Sequence, residues 1–405
     1  MLNWKALYVL FVALGFITTK NVHSVQTINN SATPKYHTKQ IVFDELWRLT
    51  SSDPEYLLGI PADAVAAGRY VLILDKLLDV VHVFDQLGNY ERQIGRPGDG
   101  PGEFRSPIHM IDFSDETFGI LTYAPGYLHH YRLDGELVAS HKIDTGAINT
   151  VGNRIYGANP LFVMLISDIT SIRDGRNRGT SSLTKLVRYS YAGEISTVYH
   201  SKKRDLFYAG NKPPPPVEDE QYFMSGFDAS KQYAYLATER NEYKIAVLDA
   251  AGDTVRVITR DYQSLQRTKT ERDSIAVARS MPSGERVAVD YLASDLEQDI
   301  IELKVHMDDW LWVLTSRGAQ HPPVGVYQVW DRFDEFGVFN DQVEVILDVN
   351  SGDVLFWLGG NALLVCRNLM NFERSYYAVV NGLQTDSSDE GCDLEIVYLR
   401  GRMIE

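Results

Sequence analysis

The sequence predicts an all-β fold, a six-bladed β-propeller with a small helical insertion. Three observations support this prediction. A short hairpin motif recurs along the chain, a further strand-like run precedes most of its copies, and a last unit near the C-terminus supplies strands without the motif. Four strands per unit, repeated around an axis, are typical of propeller blades.

The recurring motif has an aromatic or apolar residue, a few variable positions and a turn residue, and it lies between two strand-like runs. Its copies are FDQLGNY, YRLDGEL, YSYAGEI, LDAAGDT and WDRFDEF, which begin at Phe84, Tyr131, Tyr189, Leu248 and Trp330. Glycine and aspartate tolerate the positive φ that a tight hairpin needs. We therefore assign the turns to Gly88, Gly135, Gly193, Gly252 and Asp334, and the recurring unit is predicted to be a hairpin.

Further strands are predicted upstream of most hairpins, as YVLILD, TFGILTY, YAYLAT and WLWVLTS, from Tyr70, Thr117, Tyr233 and Trp310. The last unit contains DVLFWLG, NALLVC, YYAVV and LEIVYL, which we interpret as strands. The early run HTKQIVFDELWRL is expected to join this last blade and to close the ring. The propeller is thus predicted over residues 40–402, after a linker at residues 25–39.

An insertion interrupts the repeat at about residues 262–299. Within it, TKTERDSIAVARSM is predicted to be a helix, because Thr268 and Glu271 fit a capping box. Ile275, Ala278 and Met281 form an apolar stripe at helical spacing, which favours packing on the propeller rim.

The segment QIGRPGDGPGEFRSP, from Gln93 to Pro107, is rich in glycine and follows the last strand of one unit. It must cross to the inner strand of the next blade at close range, which glycine permits. Phe104 is expected to be its buried anchor. The alternatives are a phosphate cradle, which lacks the GxxxxGK[ST] pattern, and a calcium site at Asp99 and Glu103.

Together with the preceding VVHVFDQLGNY, this segment resembles the NHL-type repeat of six-bladed propellers, in particular the exported six-bladed propeller proteins of bacteria. The resemblance covers Tyr70 to Met110, and the other blades share only the hairpin pattern. It implies the fold. NHL-type propellers include RNA-binding modules, protein-binding modules and a metal-dependent peptide-amidating lyase, so the resemblance does not choose among these functions.

The chain has 405 residues, a net charge of -15 and a pI of about 5.1. This acidic balance argues against binding of nucleic acid or of an anionic membrane, which require basic surfaces. Lys5, the apolar run Ala6–Thr18, and Val22 with Ser24 predict a signal peptide at residues 1–24. We expect a monomer in the periplasm or outside the cell, with no stable membrane span after cleavage; an uncleaved anchor helix is the alternative.

The chain has two cysteines. Cys366 ends the strand-like run NALLVC, and Cys392 begins the run CDLEIVYL. Export permits a disulfide between them, and two buried thiols are the alternative. Two cysteines cannot form a zinc site made of cysteine alone.

Ligand-binding residues are expected where the inner strands begin, at the mouth of the central channel. The candidates are Asp63, His109, Arg154 and His306. IHMID and VHMDD place His109 and His306 at equivalent positions of the repeat, so these two side chains and a carboxylate could hold a metal. The alternative is that each histidine hydrogen-bonds a neighbouring blade.

No catalytic motif occurs in the sequence, and we assign no catalytic residue and no cofactor. The leading hypothesis is an exported, non-enzymatic propeller that binds a ligand or a protein partner at the channel mouth. The alternative is a metal-dependent lyase or hydrolase that uses His109 and His306 with a divalent metal.

Overall fold

The computed structural model describes residues 25–51, 56–113, 116–122, 126–143, 156–158, 161–175, 177–190, 192–208, 214–230, 232–279, 291–305, 310–359, 361–381 and 394–404. The predicted signal peptide at residues 1–24, and Arg154, His306, Met281 and Cys392, lie outside these ranges.

The described strands form six blades, in agreement with the predicted fold class. Two strands precede the first complete blade, β1 (Gln26–Asn30) and β2 (Lys39–Thr50). Blade 1 contains β3 (Pro61–Ala67), β4 (Tyr70–Asp75), β5 (Val80–Asp85) and β6 (Tyr90–Ile94). Blade 2 contains β7 (Pro107–Asp112), β8 (Thr117–Thr122), β9 (Tyr127–Arg132) and β10 (Leu137–Lys142).

The next two blades follow the same order. Blade 3 contains β11 (Tyr156–Ala158), β12 (Leu161–Asp174), β13 (Asn177–Tyr189) and β14 (Ile195–Phe207). Blade 4 contains β15 (Gly226–Ala229), β16 (Ala234–Ala237), β17 (Lys244–Leu248) and β18 (Thr254–Arg260), and helix α1 (Glu218–Gln221) precedes it. Strand β1 pairs in parallel with β18, so the predicted linker at residues 25–39 contains a strand that covers an open sheet edge.

Blade 5 contains β19 (Ile300–Val305), β20 (Leu311–Thr315), β21 (Gln328–Phe333) and β22 (Phe339–Ile346). Helix α2 (Lys269–Arg279) lies in the insertion before it, and helix α3 (Ser316–Gln320) follows β20. Blade 6 contains β23 (Val354–Gly359), β24 (Ala362–Arg367) and β25 (Glu395–Ile404) from the C-terminal part, with helix α4 (Leu369–Val380) between β24 and β25.

Strand β2 closes the ring, as predicted from the early apolar run. It pairs antiparallel with β25 over most of its length and becomes the outer strand of blade 6. Its first residues, Lys39–Val42, also pair in parallel with Val343–Ile346 of β22, the outer strand of blade 5. Trp47 of β2 stacks on Tyr398 of β25, with ring centroids 5.0 Å apart.

The interpretation of YYAVV as a strand is wrong, because these residues form the end of α4. The run is rich in β-branched and aromatic residues, which favours a strand locally. Since β2 already occupies the outer edge of β25, blade 6 does not need a fourth strand from this segment.

The five recurring motifs form hairpin turns, in which a backbone N–H of glycine closes the turn. Gly88 has φ +86° and donates to the carbonyl of Asp85. In blade 5 the equivalent glycine is Gly337, with φ +85°, so the assignment of that turn to Asp334 is wrong. Asp334 instead occupies the position of Asp85, and its carboxylate accepts hydrogen bonds from the backbone of the turn.

Apolar side chains fill the interfaces between adjacent blades. Between blades 1 and 2, Leu72, Leu74, Ile120 and Tyr131 are buried in one cluster with Phe104. Other clusters lie between blades 6 and 1, 2 and 3, 3 and 4, and 4 and 5. The core is therefore distributed between the blades, as the alternating apolar residues of strands require.

The predicted capping box is present at the start of α2. The Glu271 carboxylate accepts hydrogen bonds from the backbone N–H of Thr268 at 2.6 Å and from its hydroxyl at 2.8 Å. No described side chain of the helix is buried, and Val277 is 75% exposed. Ile275 is partly buried and Ala278 is exposed, so packing of the helix on the propeller rim through the apolar stripe stays a prediction.

Cys366 lies in β24 as a buried thiol, and burial raises its pKa. A disulfide with Cys392 stays a prediction. Among the described residues, no helix combines the length and the apolar composition that a membrane crossing requires.

Candidate functional site

The first strand of every blade faces the ring axis. Strand β3 lies beside β7, β7 beside β11, β11 beside β15, and β15 beside β19, and β23 lies beside β3. Lys304 of β19 lies over the ring of Trp357 in β23, 5.9 Å from its centroid, and so links the remaining pair. Partly exposed side chains of these six strands are the candidates for a site at the channel.

Two of the four predicted site residues meet in the structure. Nδ1 of His109, in β7, lies 3.3 Å from Oδ2 of Asp63, in β3, and both side chains are about one-fifth exposed. The Asp63 carboxylate also accepts hydrogen bonds from the backbone N–H of Met110 at 2.9 Å and of Ala64 at 2.8 Å. Asp63 therefore joins blades 1 and 2 and holds the His109 ring at the edge of the channel.

The sequence analysis missed a second polar group on the inner strands. Glu302 and Lys304 lie two residues apart in β19, so their side chains share one face of the strand. Oε1 of Glu302 is 3.1 Å from Nζ of Lys304, and both side chains are less than one-fifth exposed. With Trp357 beyond Lys304, this group offers a carboxylate, an ammonium and an aromatic face.

Asp63, His109 and Glu302 occupy the same position in their strands. They pair with Leu74, Leu121 and Leu314, the penultimate residues of the second strands, and each follows a break in strand register. In β19 the residue at this position is Glu302, so the pairing with β20 does not follow the similarity of IHMID to VHMDD. His306 lies outside the described residues, and its place beside His109 at the channel stays a prediction.

The described parts of the chain contain no group of three or more histidine, cysteine, aspartate or glutamate side chains that could hold a metal ion. His306 and Arg154 lie outside these parts, so the metal-dependent alternative with His109 and His306 stays a prediction.

The glycine-rich segment has the structure expected of a crossing between blades. Phe104 is 2% exposed and packs against His129 and Tyr131 of blade 2. Glu103 accepts hydrogen bonds from Gly100 N–H and Arg96, and these contacts hold its pKa below the usual value. Asp99 lies 3.4 Å from Arg105. Both carboxylates thus face arginines within the loop, and among the described residues they belong to no group of three or more histidine, cysteine, aspartate or glutamate side chains that could hold a cation.

Comparison with known proteins gives the same fold. Residues 33–154 match the model of the family DUF5128, described as a 6-bladed β-propeller. None of the curated proteins compared with this sequence matches it.

Among solved structures, the chain is similar to a candidate exported protein from Bacteroides fragilis, with 11% identity, a TM-score of 0.44, and coverage of 94% of this chain and 100% of that one. It is also similar to a DUF4221 member from Bacteroides vulgatus, with 10% identity, a TM-score of 0.43, and coverage of 90% and 99%. Virginiamycin B lyase from Staphylococcus aureus has 12% identity, a TM-score of 0.36, and coverage of 89% and 99%. The strand order and the family match together identify the chain as an all-β, six-bladed propeller.

Proposed function

We propose that the protein is an exported propeller that binds a polar ligand or a protein partner at the mouth of its central channel. One observation carries this proposal: Asp63, His109 and Glu302 occupy the same position in three inner strands, each opposite the penultimate residue of the second strand of its blade. These side chains are partly or mostly buried, which strengthens their electrostatic contacts with a ligand relative to contacts made in water.

The chemistry of the channel groups favours a ligand that carries both donors and acceptors. Asp63 and Glu302 offer carboxylate oxygens, Lys304 offers an ammonium group, and Trp357 offers a flat apolar surface. Glu302 pairs with the opposite charge of Lys304, and the Asp63 carboxylate is hydrogen-bonded by His109 and by two backbone N–H groups. A ligand can therefore exchange contacts with these groups without leaving an isolated charge.

We also propose that the segment Tyr70 to Met110 is an NHL-type repeat. Export is proposed because the N-terminal segment begins with a basic residue and continues with an apolar run. Mass analysis of the secreted protein should find an N-terminus near Val25. An intact Met1 in a cytosolic fraction would contradict the export proposal.

Binding at the channel is tested with a thermal-shift screen of amino acids, dipeptides and other small polar compounds against residues 25–405. Compounds that raise the Tm are then titrated by calorimetry into the parent protein, Asp63→Asn and Glu302→Gln. Both substitutions keep the shape of the side chain. Met110 and Ala64 donate to different oxygens of Asp63, so the single amide oxygen of Asp63→Asn keeps only one of these two hydrogen bonds, whereas Glu302→Gln leaves both in place. We expect a loss of about tenfold or more in affinity, which is about 1.4 kcal/mol.

The matched control is Asp134→Asn, which changes a carboxylate of the exposed hairpin between β9 and β10. This variant should bind the same compounds as the parent protein. If the compounds bind all three variants equally, the channel is not the binding site and the proposal fails.

A further inference from the structure

A cleft of about 630 Å³ lies between the glycine-rich segment and blade 2, away from the channel groups described above. Its volume is within the usual range for small-molecule sites, about 300–1,000 Å³. One wall is the loop that contains Gly98 and Asp99, and the opposite wall contains Tyr127, His129 and Ser140.

The polar floor of the cleft is a pair of residues on neighbouring strands. His129 and Ser140 lie directly opposite each other on β9 and β10, and Nδ1 of His129 is 2.9 Å from Oγ of Ser140. His129 is 9% exposed, and burial lowers its pKa, so its ring is neutral near pH 7. With Nδ1 engaged by Ser140, Nε2 is the ring nitrogen left to meet a ligand.

Part of the cleft lining is flat and apolar. The partly exposed ring of Tyr127 lies 5.8 Å from the ring of His129, and Leu137 lies on the same side. The Phe104 ring lies behind His129, with centroids 6.2 Å apart, and supports it from the core. A flat molecule with one apolar face can therefore stack on this wall.

Two carboxylates line the cleft, Asp99 and Glu103, and each pairs with an arginine; Oε1 of Glu103 lies 2.7 Å from Nε of Arg96. Asp99 is 83% exposed and Arg105 is 57% exposed, and they lie 3.4 Å apart. The inner part of the cleft offers neutral groups that can both donate and accept, which are the Ser140 hydroxyl and the imidazole of His129. A neutral ligand with several hydroxyl groups matches this arrangement better than an anion or a cation, since neither sign of charge prevails.

From this combination we infer that the cleft binds a neutral saccharide of one or two rings. The apolar face of the sugar packs on Tyr127, its hydroxyl groups exchange hydrogen bonds with Ser140 and Nε2 of His129, and Asp99 and Arg105 contact the outer hydroxyl groups. The residues that line the cleft do not include the channel groups, so this inference can be tested independently of the function proposed for the channel.

The test uses residues 25–405 and saturation-transfer NMR with glucose, galactose, N-acetylglucosamine, xylose, maltose and cellobiose. Glucose 6-phosphate and phenylalanine are the comparison ligands, one with added charge and one with a flat ring but no sugar hydroxyl groups. We expect saturation transfer to at least one neutral sugar and weaker transfer to both comparison ligands.

The sugar that binds is then titrated into Tyr127→Leu and Ser140→Ala. Tyr36→Leu and Ser196→Ala are the matched controls, because both original side chains lie at exposed positions outside the cleft. The two cleft variants should lose about tenfold in affinity, whereas the controls and the channel variant Asp63→Asn should bind like the parent protein. Absence of binding by every neutral sugar at about 10 mM, preference for either comparison ligand, or equal binding by the cleft variants would each overturn the inference.

Discussion

Phe104 is the buried anchor of a segment that otherwise has few large side chains. Its backbone N–H donates to the carbonyl of Arg96, and its ring fills the space between blades 1 and 2 beside Tyr131. Gly95 has φ +80°, and a Cβ added there would overlap the Phe104 ring. The glycine is thus required both by the backbone conformation and by the close approach of the aromatic ring.

We therefore expect Phe104→Ala to lower the free energy of unfolding by about 3–5 kcal/mol, the usual cost of truncating a buried phenylalanine. Asp99→Ala is the matched change in the same loop, and its side chain is 83% exposed. Its expected cost is within about 0.5 kcal/mol, as for surface changes generally. Chemical denaturation of both variants measures the contrast, and equal, small losses would mean that Phe104 does not anchor the segment.

At the scale of single residues, the sequence predicted the residues that differ in type from their neighbours along the chain. Phe104 stands out because the residues around it are glycine, proline and charged. Asp63 and His109 could be placed near each other because they begin successive inner strands. Glu302 was missed because His306, in the run VHMDD that resembles IHMID, was chosen as the candidate of this blade, and only the pairing of β19 with β20 places Glu302 opposite Leu314.

At the scale of elements, one carboxylate fastens the insertion to blade 4. Glu218 of α1 accepts hydrogen bonds from Arg240 at 2.8 Å, from Arg267 at 2.7 Å and from the backbone N–H of Ser294 at 2.8 Å. Both arginine side chains are less than one-tenth exposed. Burial opposes ionisation of Glu218, but the hydrogen bonds prevail and lower its pKa to about 2.

This arrangement predicts a pH-dependent contribution to stability. A pKa that falls from 4.5 to about 2 on folding corresponds to about 3 kcal/mol, because one pKa unit is about 1.4 kcal/mol. The folded pKa is the lower one, so this contribution is fully present above about pH 4.5 and is lost as the pH falls through about 2.

Glu218→Gln should therefore lower the free energy of unfolding most at neutral pH, and the difference from the parent protein should shrink between about pH 4.5 and pH 2. Glu220→Gln, an exposed position in the same helix, should show little difference at any pH. Urea denaturation across this range makes the comparison. A difference for Glu218→Gln that stays constant from pH 7 to pH 2 would assign the loss to packing instead of charge.

The elements that the sequence predicted correctly are those with a local signal. The capping box identified α2, and the hairpin glycines identified four of the five turns. In contrast, α4 was missed because YYAVV has the composition of a strand, and only the pairing of β2 with β25 removes the need for one. The composition of a local segment cannot predict a contact between strands that lie far apart in the chain.

At the scale of the whole molecule, residues from the two ends of the chain hold the ring closed. Strand β2 supplies the outer strand of blade 6 and also pairs with blade 5 through Lys39–Val42. Ile41, Trp47 and Leu49 of this strand are buried, and the removal of each such side chain costs about 2–5 kcal/mol. The sum is comparable to the total stability of a typical folded protein, about 5–15 kcal/mol.

Deletion of β2 from the mature chain should therefore prevent cooperative folding, whereas deletion of β1 alone should not. The first variant consists of residues 52–405 and the second of residues 39–405; both are compared with residues 25–405. Strand β1 lies on the open edge of β18, and residues 30–36 also hydrogen-bond Gly337, Phe339 and Asn340 of blade 5. No residue from 25 to 38 is buried, so their loss removes hydrogen bonds but no core packing. Thermal unfolding followed by circular dichroism should show a cooperative transition for the longer variant and none for the shorter one. A transition of the shorter variant near the Tm of the mature chain would show that blades 5 and 6 hold together without the N-terminal strand, and the account of ring closure would then be wrong.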